Sequence, residues 1–197
     1  VDASRRKLTV VGVDYCGKTC LFFALGHELL PKSYKPTLFD TYSIDTEVDG
    51  KEVNLIFFDV AGKNEFSYQN LRSVFYKDTD VILVCFFADR PDSQQNILDF
   101  WIPEIKLVCP TVPIILVVTK IEIRGDEGIK KILSTPGNET FNTTEGKALA
   151  ARIGAYAYLE CSAKTKQGVD AALKIISQCA LHQKRRRKRH YSHCQIL

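Results

Sequence analysis

The chain is expected to fold as an α/β domain: a six-stranded, mostly parallel sheet with one antiparallel edge strand and helices on both faces. Three observations predict this. Short β-branched apolar runs alternate with longer helical segments along most of the 197 residues. An Asp49-Gly50 pair between two of those runs marks a tight hairpin, where glycine supplies the positive φ, and this makes one strand antiparallel. Finally, 45% apolar and 25% charged residues is the composition of one domain with a buried core.

The elements follow in order. Lys7 to Val13 reads as a first strand; the apolar stretch after Ser4-Arg5-Arg6-Lys7 ends at Asp14 and is too short for a secretory signal core. A helix over Lys18 to Leu25 precedes two strands, Tyr42 to Val48 and Glu52 to Asp59, joined by the Asp49-Gly50 turn. Helix Gln69 to Tyr76 leads to strand Val81 to Phe87, helix Ser93 to Leu107 to strand Ile114 to Thr119, and helix Thr144 to Ile153 to strand Ala157 to Glu160. A last helix spans Gly168 to His182. Pro103 is expected to kink the third helix or to open a new first turn, because proline lacks a backbone donor. Trp101, Phe86, Phe87 and Phe100 have core-like spacing and read as packing. No internal repeat is present, and the longest apolar runs are far below the roughly 18 residues of a membrane-spanning helix.

Charge is unevenly placed. The net charge is +4, yet Lys184 to Arg189 contribute six consecutive positive charges, so the rest of the chain is net negative. Such a run suits nucleic acid, a nuclear address or anionic lipid, or is a solvated end. The final Cys194-Gln195-Ile196-Leu197 decides for lipid: it fits the C-a-a-X prenylation pattern with a terminal Leu, and a polybasic run supplies the second attraction that a single lipid chain needs. The seven cysteines are odd in number and lack metal-ligand spacing, which points to a reducing, intracellular compartment; there the sequons at Asn138 and Asn142 have no role. The sequence contains no methionine, so a trimmed or missing stretch is expected before Val1.

The strongest chemical signal is Gly12-Val13-Asp14-Tyr15-Cys16-Gly17-Lys18-Thr19, which fits G-x-x-x-x-G-K-[ST] directly after a strand and before a helix. Backbone N–H groups of such a loop wrap phosphates, the lysine reaches the terminal phosphates and the threonine hydroxyl suits Mg²⁺. The fold is therefore expected to be of the P-loop NTPase type. Asp59-Val60-Ala61-Gly62 closes the third strand, with a carboxylate near the metal and a glycine N–H near a γ-phosphate. Thr37 offers a second metal hydroxyl. Thr119-Lys120-Ile121-Glu122 and Cys161-Ser162-Ala163-Lys164 follow the fifth and sixth strands, at the ends where such sheets bind ligands.

These segments, with Tyr34-x-Pro36-Thr37, Glu160-Cys161-Ser162-Ala163-Lys164-Thr165 and the basic C-a-a-X tail, make the chain resemble a small GTPase of the Ras superfamily over almost its whole length. The extra segment of about Arg124 to Asn142 resembles the helical insert of the Rho family. The resemblance implies a GTPase domain over residues 1–182 and a prenylated tail over 183–197. It implies GTP or GDP and Mg²⁺ as ligands, with Lys18 and Gly62 on the β/γ-phosphates, Thr19 and Thr37 on Mg²⁺, and Asp59 supporting the metal through water. Lys120 would line the base and Ala163 would offer its N–H to the guanine oxygen; Cys20, Leu30, Ser162 and Lys164 complete the expected nucleotide contacts. It also implies effectors, exchange factors, activating proteins and a dissociation inhibitor meeting the switches at 30–42 and 59–78 and the insert. The expectation is a monomer that does not bind nucleic acid, prenylated and methylated at Cys194 and anchored to the cytoplasmic face of cellular membranes, the plasma membrane first.

The sequence departs from the family at four ligand positions. Asp14 stands where glycine is usual, crowding the γ-phosphate and adding negative charge. Lys63 replaces the glutamine that orients the attacking water, and lysine has no acceptor for that task. Leu30 replaces an aromatic residue over the guanine, and Glu122 replaces the aspartate that reads it. The second switch, from Lys63 to Asn70, is also about two residues longer than the family's. The preferred reading is a switch with slow hydrolysis and fast exchange, held mostly with GTP. Against it stand an ordinary cycling GTPase, a nucleotide-poor scaffold, and a P-loop phosphotransferase, which would need a lid of arginines that the sequence lacks.

Overall fold

In the computed structural model of the chain, the described residues are 4–30, 39–60, 69–88, 92–126 and 141–183. Six strands form one sheet: β1 (Ser4–Gly12), β2 (Phe39–Val48), β3 (Lys51–Val60), β4 (Val81–Phe87), β5 (Ile114–Thr119) and β6 (Ala157–Glu160). Their order is β2-β3-β1-β4-β5-β6, all parallel to β1 except β2, which runs antiparallel to β3. The hairpin between β2 and β3 turns on Asp49 and Gly50 with φ of 52° and 72°, the two positive values that a two-residue turn of this hand requires.

The helices are α1 (Lys18–Leu25), α2 (Gln69–Tyr76), α3, α4 (Thr143–Ile153) and α5 (Val169–His182). Helix α3 runs in three joined pieces, Asp92–Asn96, a π-helical turn Ile97–Trp101, and Ile102–Val108. The widened turn ends just ahead of Pro103, which occupies the first turn of the final piece, where a missing N–H costs nothing. The sequence reading of a break at Pro103 therefore becomes a change of hydrogen-bond register within one continuous helix.

Strict alternation along the central strands divides the core. Val81, Leu83, Cys85 and Phe87 of β4 face one way, with Ile115 and Val117 of β5, onto α1 and α5. Ile82, Val84 and Phe86, with Leu116 and Val118, face the other way onto α2, α3 and α4, where Trp101 is fully buried. All strands with two covered faces read as continuous apolar runs for this reason. On the second face Arg72 of α2, 1% exposed, holds Glu104 of α3 through two bonds of 3.0 and 2.9 Å, and Tyr76 adds a third at 2.7 Å. Asn142 caps α4 in a reciprocal capping box with Glu145, so this sequon asparagine has a structural task.

Chain direction across the sheet reverses at β1, which is followed on one side by β3 and on the other by β4. A crevice opens at that point beyond the carboxyl ends of the strands, the position at which open α/β sheets bind ligands.

Candidate nucleotide-binding site

The loop from Gly12 to Gly17 leaves β1 at the crevice. Gly12 has φ of 145°, and a side chain there would collide with the backbone of Cys85, so β1 and β4 can close on each other only with glycine at this position. Gly17, at φ of 88°, is the N-cap of α1 and supplies no side-chain cap. The N-cap therefore offers the first N–H groups of α1 no side-chain acceptor, the arrangement that suits an anion. Lys18 is buried, and its ammonium donates to the carbonyls of Gly12 (3.4 Å) and Val13 (3.2 Å). Burial opposes its charge, but the surrounding groups, Cys16 and Asp59 before Cys85 and Asp14, hold its pKa above the ordinary value.

Beside it the Thr19 hydroxyl donates to Asp59 Oδ2 at 2.7 Å. Asp59 is fully buried, and its other oxygen, Oδ1, has no hydrogen-bond partner among the described residues. Burial raises its pKa, opposed by the Thr19 bond and the charge on Lys18. An orphaned buried carboxylate oxygen next to a hydroxyl is a hard-oxygen donor set that fits Mg²⁺, which is commonly held by one carboxylate and a hydroxyl together with phosphate oxygens.

The other end of the crevice is a cavity of about 140 Å³. It is lined by Cys16, Gly17, Cys20, Leu30, Thr119, Lys120, Glu122, Ala163 and Lys164, nine residues expected from the sequence, and by Leu21 and Cys161, which were not. Its volume suits a flat heteroaromatic ring rather than a whole nucleotide. Three loops are tied together around it. The Thr119 hydroxyl lies between the carbonyls of Cys16 and Phe86 (2.9 Å to the latter), and Lys120 donates to the Tyr15 carbonyl at 2.7 Å while lying over the Phe87 ring. Lys120 itself has φ of 55°, which turns the chain sharply into a 3₁₀ turn, Ile121–Gly125.

Glu122 sits on that turn with Oε2 buried and unpartnered among the described residues, an acceptor suited to the N–H edge of a base. On the facing loop Ser162 is buried and its hydroxyl accepts from the Thr165 N–H, so it shapes the loop that presents Ala163. Tyr15, 63% exposed, faces solvent and contributes its carbonyl.

A further cluster stands behind this loop. Arg124 donates to the Phe141 carbonyl at 2.9 Å and to Glu160 Oε1 at 2.9 Å, and approaches the Thr143 hydroxyl at 3.4 Å; Tyr158 and Thr143 also donate to Glu160, at 2.5 and 3.1 Å. Burial works against the charge on Glu160, but Arg124 and the two hydroxyls outweigh it and hold the carboxyl below its ordinary pKa. In the sequence Arg124 stands at the start of the insert, where nothing local marks a role for it. The buried thiols behave as small apolar groups: burial pushes Cys161 and Cys179 up to about 12 and raises Cys16 and Cys85.

Tyr34, Thr37, Gly62 and Lys63 lie outside the described residues, as do 127–140 of the insert and the tail that carries the basic run and Cys194.

A glycine-built phosphate loop on α1, an acidic strand end and a base-sized cavity at the switch point of a 2-3-1-4-5-6 sheet define a P-loop nucleotide-binding protein. Comparison with known proteins carries this further. The model of the Ras family matches residues 7–182. The Rho-related GTP-binding protein RhoB of Homo sapiens is 49% identical over 182 residues, 92% of this chain and 92% of its own, and the RhoB proteins of Mus musculus and Rattus norvegicus match equally. The chain belongs to the Rho family of Ras-superfamily small GTPases.

Proposed function

We propose that this chain is a membrane-anchored guanine-nucleotide switch that hydrolyses GTP slowly and is held mostly with GTP. The observation that carries nucleotide recognition is the pair of buried acceptors, Asp59 Oδ1 and Glu122 Oε2, that have no partner among the described residues, at the two ends of one crevice. Each would cost about 1–3 kcal/mol if left unmet, so each calls for a ligand partner. Thr19, and Thr37 from the first switch, would hold Mg²⁺, with Asp59 supporting the metal through water; the bound cation offsets the negative charge of the phosphates. Glu122 would accept from the guanine N–H edge, Lys120 would line the base, the Ala163 N–H would donate to the guanine oxygen, and Leu30 would cover the ring. Lys18 and Gly62 would hold the β/γ-phosphates.

Slow turnover is argued from two residues. Asp14 sits in the phosphate loop, near enough to Lys18 to act on its charge. It introduces an anion and a side chain where the γ-phosphate and an activating arginine need room. Lys63 stands at the water-orienting position and lacks an acceptor. An activating arginine is worth about 10³ to 10⁵ in rate, and interference at either position can forfeit much of that. The GTPase domain is taken as residues 1–182, with an insert near 124–142. Residues 183–197 act as the anchor, combining basic residues 184–189 with a prenylated Cys194 to hold the protein on the cytoplasmic face of an anionic membrane. Effectors and regulators would meet 30–42, 59–78 and the insert.

The test is chromatography of nucleotide released from protein purified out of cells, paired with single-turnover hydrolysis of loaded GTP. GTP in excess with slow hydrolysis, accelerated at least about tenfold by Asp14→Gly with Lys63→Gln, is the expected result. GDP in excess with measurable hydrolysis returns the chain to ordinary cycling, and protein free of nucleotide makes it a scaffold. Partition onto anionic vesicles should be lost in Cys194→Ser.

A further inference from the structure

The Arg124 cluster lies outside the cavity, touches no expected ligand position, and yet joins the segments that build the base pocket. Arg124 follows Glu122 by two residues on the same 3₁₀ turn, and Glu160 ends β6 immediately before Cys161-Ser162-Ala163. The guanidinium thus bonds one wall of the pocket to the strand that carries the other. Its second bond, to the Phe141 carbonyl, and its approach to Thr143 fix the turn to the start of α4. The rest of the assembly holds Glu160 in place: Tyr158 and Thr143 donate to its two oxygens, and Tyr158 fits against α4 because residue 146 is glycine, where any side chain would overlap the Tyr158 ring and hydroxyl. Every oxygen of Glu160 and the Nε and one terminal nitrogen of Arg124 are engaged in bonds of 3.1 Å or less.

Glu122 has no such support. Its Oε2 is unpartnered among the described residues, so its position in the cavity depends on where the turn backbone lies. That backbone is tied forward by a weak bond, Ile121 N–H to the Cys161 carbonyl at 3.5 Å, and the Arg124 side chain is its strong attachment to β6. An ion pair with each side chain about one-fifth exposed is better shielded than a surface pair, and the guanidinium's other bond, from Nε to the Phe141 carbonyl, fixes the direction from which it meets Glu160.

We propose that Arg124 is a positioning residue for base recognition: through Glu160 it sets the separation of the Glu122 turn from the 161–163 loop, and so the rate at which nucleotide leaves and the preference for guanine. The inference rests on the crevice being a guanine-nucleotide site.

The test uses the full chain loaded with fluorescent GDP or fluorescent IDP in excess Mg²⁺, with dissociation followed after adding unlabelled nucleotide. IDP lacks the exocyclic amine that Glu122 would accept from. Arg124→Ala and Glu160→Gln are expected to release GDP about five- to twentyfold faster than the parent chain. The double variant should be no faster than the faster single, since both singles break the same Arg124–Glu160 bond, and Arg124→Lys should fall between. The GDP-to-IDP ratio of release rates should collapse toward unity in Arg124→Ala, which general loosening of the fold would not produce, because loosening speeds both nucleotides alike. Arg152→Ala, an exposed arginine on α4, should change neither rate. If Arg124→Ala does not fold, Arg124→Lys and Glu160→Gln carry the same comparison. Release rates equal to the parent chain, or faster release with an unchanged GDP-to-IDP ratio, overturn the positioning role. A parent chain that binds neither nucleotide overturns the guanine-site reading itself.

Discussion

At the base end of the crevice, loops are fastened to one another by side chains: Thr119 to the phosphate loop, Lys120 to Tyr15, Arg124 to Glu160. At the phosphate end, charged groups lie close together with few bonds between them, Lys18 resting on two loop carbonyls and Asp59 bonded, among the described residues, by Thr19. The base end is part of the folded framework, whereas the phosphate end holds charge that a ligand completes. Substitutions at the first should damage fold and binding together, and substitutions at the second should damage binding first.

The largest effect should come from Gly168→Ala. Gly168 has φ of 75° and an added Cβ would run into the Glu160 carbonyl, so the loop presenting Ala163 would have to move away from β6. Backbone strain plus the clash should cost about 3–4 kcal/mol, or roughly 6–15 °C in melting temperature, with or without nucleotide. A melt within about 2 °C of the parent would show that the base end is not structural. Next in size is Lys18→Met, which keeps the buried stem and removes the ammonium. Nucleotide affinity, measured by titration, should fall about a hundredfold, while the melting temperature without nucleotide changes far less than in Gly168→Ala.

A third contrast lies in pH. The Asp59 pKa is raised by burial, so the folded state binds its proton more tightly than the unfolded state does. Its contribution to the stability of the nucleotide-free chain is therefore greatest below the ordinary carboxyl range and declines as pH rises through the raised value, with Lys18 and Thr19 limiting the decline and Asp40 adding to it. Urea unfolding of the parent relative to Asp59→Asn should show the variant gaining across pH 4 to 8. Mg²⁺ and GDP should reverse this trend, because the bound cation favours the ionised carboxylate. Glu160 has the opposite sign: its lowered pKa stabilises the fold above the ordinary glutamate range, and this is lost as pH falls through the lowered value.

How much of this was legible in the sequence follows the same division. The phosphate loop is contiguous, its glycines are dictated by local φ, and β1 and α1 flank it, so the motif, strand and helix identify one another. The sheet was legible because both-face burial leaves uninterrupted apolar runs, and β4, β5 and β6 have the bounds that the runs suggest. The base end depends on distant pairing. Arg124 and Glu160 are 36 residues apart and meet because the β5–β6 ladder sets Val118 opposite Glu160, a register that no local signal specifies. The same limit hid Arg72 with Glu104, and the π-helical turn, where Pro103 signals a break without saying how the helix absorbs it.

The smallest expected effect sits where the two ends differ least in charge and most in support. Glu122 is a carboxylate, as at the phosphate end, but it stands on a turn braced by Arg124. Glu122→Asp keeps the charge and both acceptor oxygens and shortens the reach by one methylene. With the turn held by Arg124 at the distance that suits glutamate, aspartate falls short of the base edge. GDP should bind about three- to tenfold more weakly, the loss of roughly one modest hydrogen bond. Tighter binding would show that the turn is not set back. The brace accounts for the difference. Combined with Arg124→Ala, which frees the turn to approach, Glu122→Asp should recover affinity relative to Arg124→Ala alone, and equilibrium titration of GDP against the four chains measures that coupling directly.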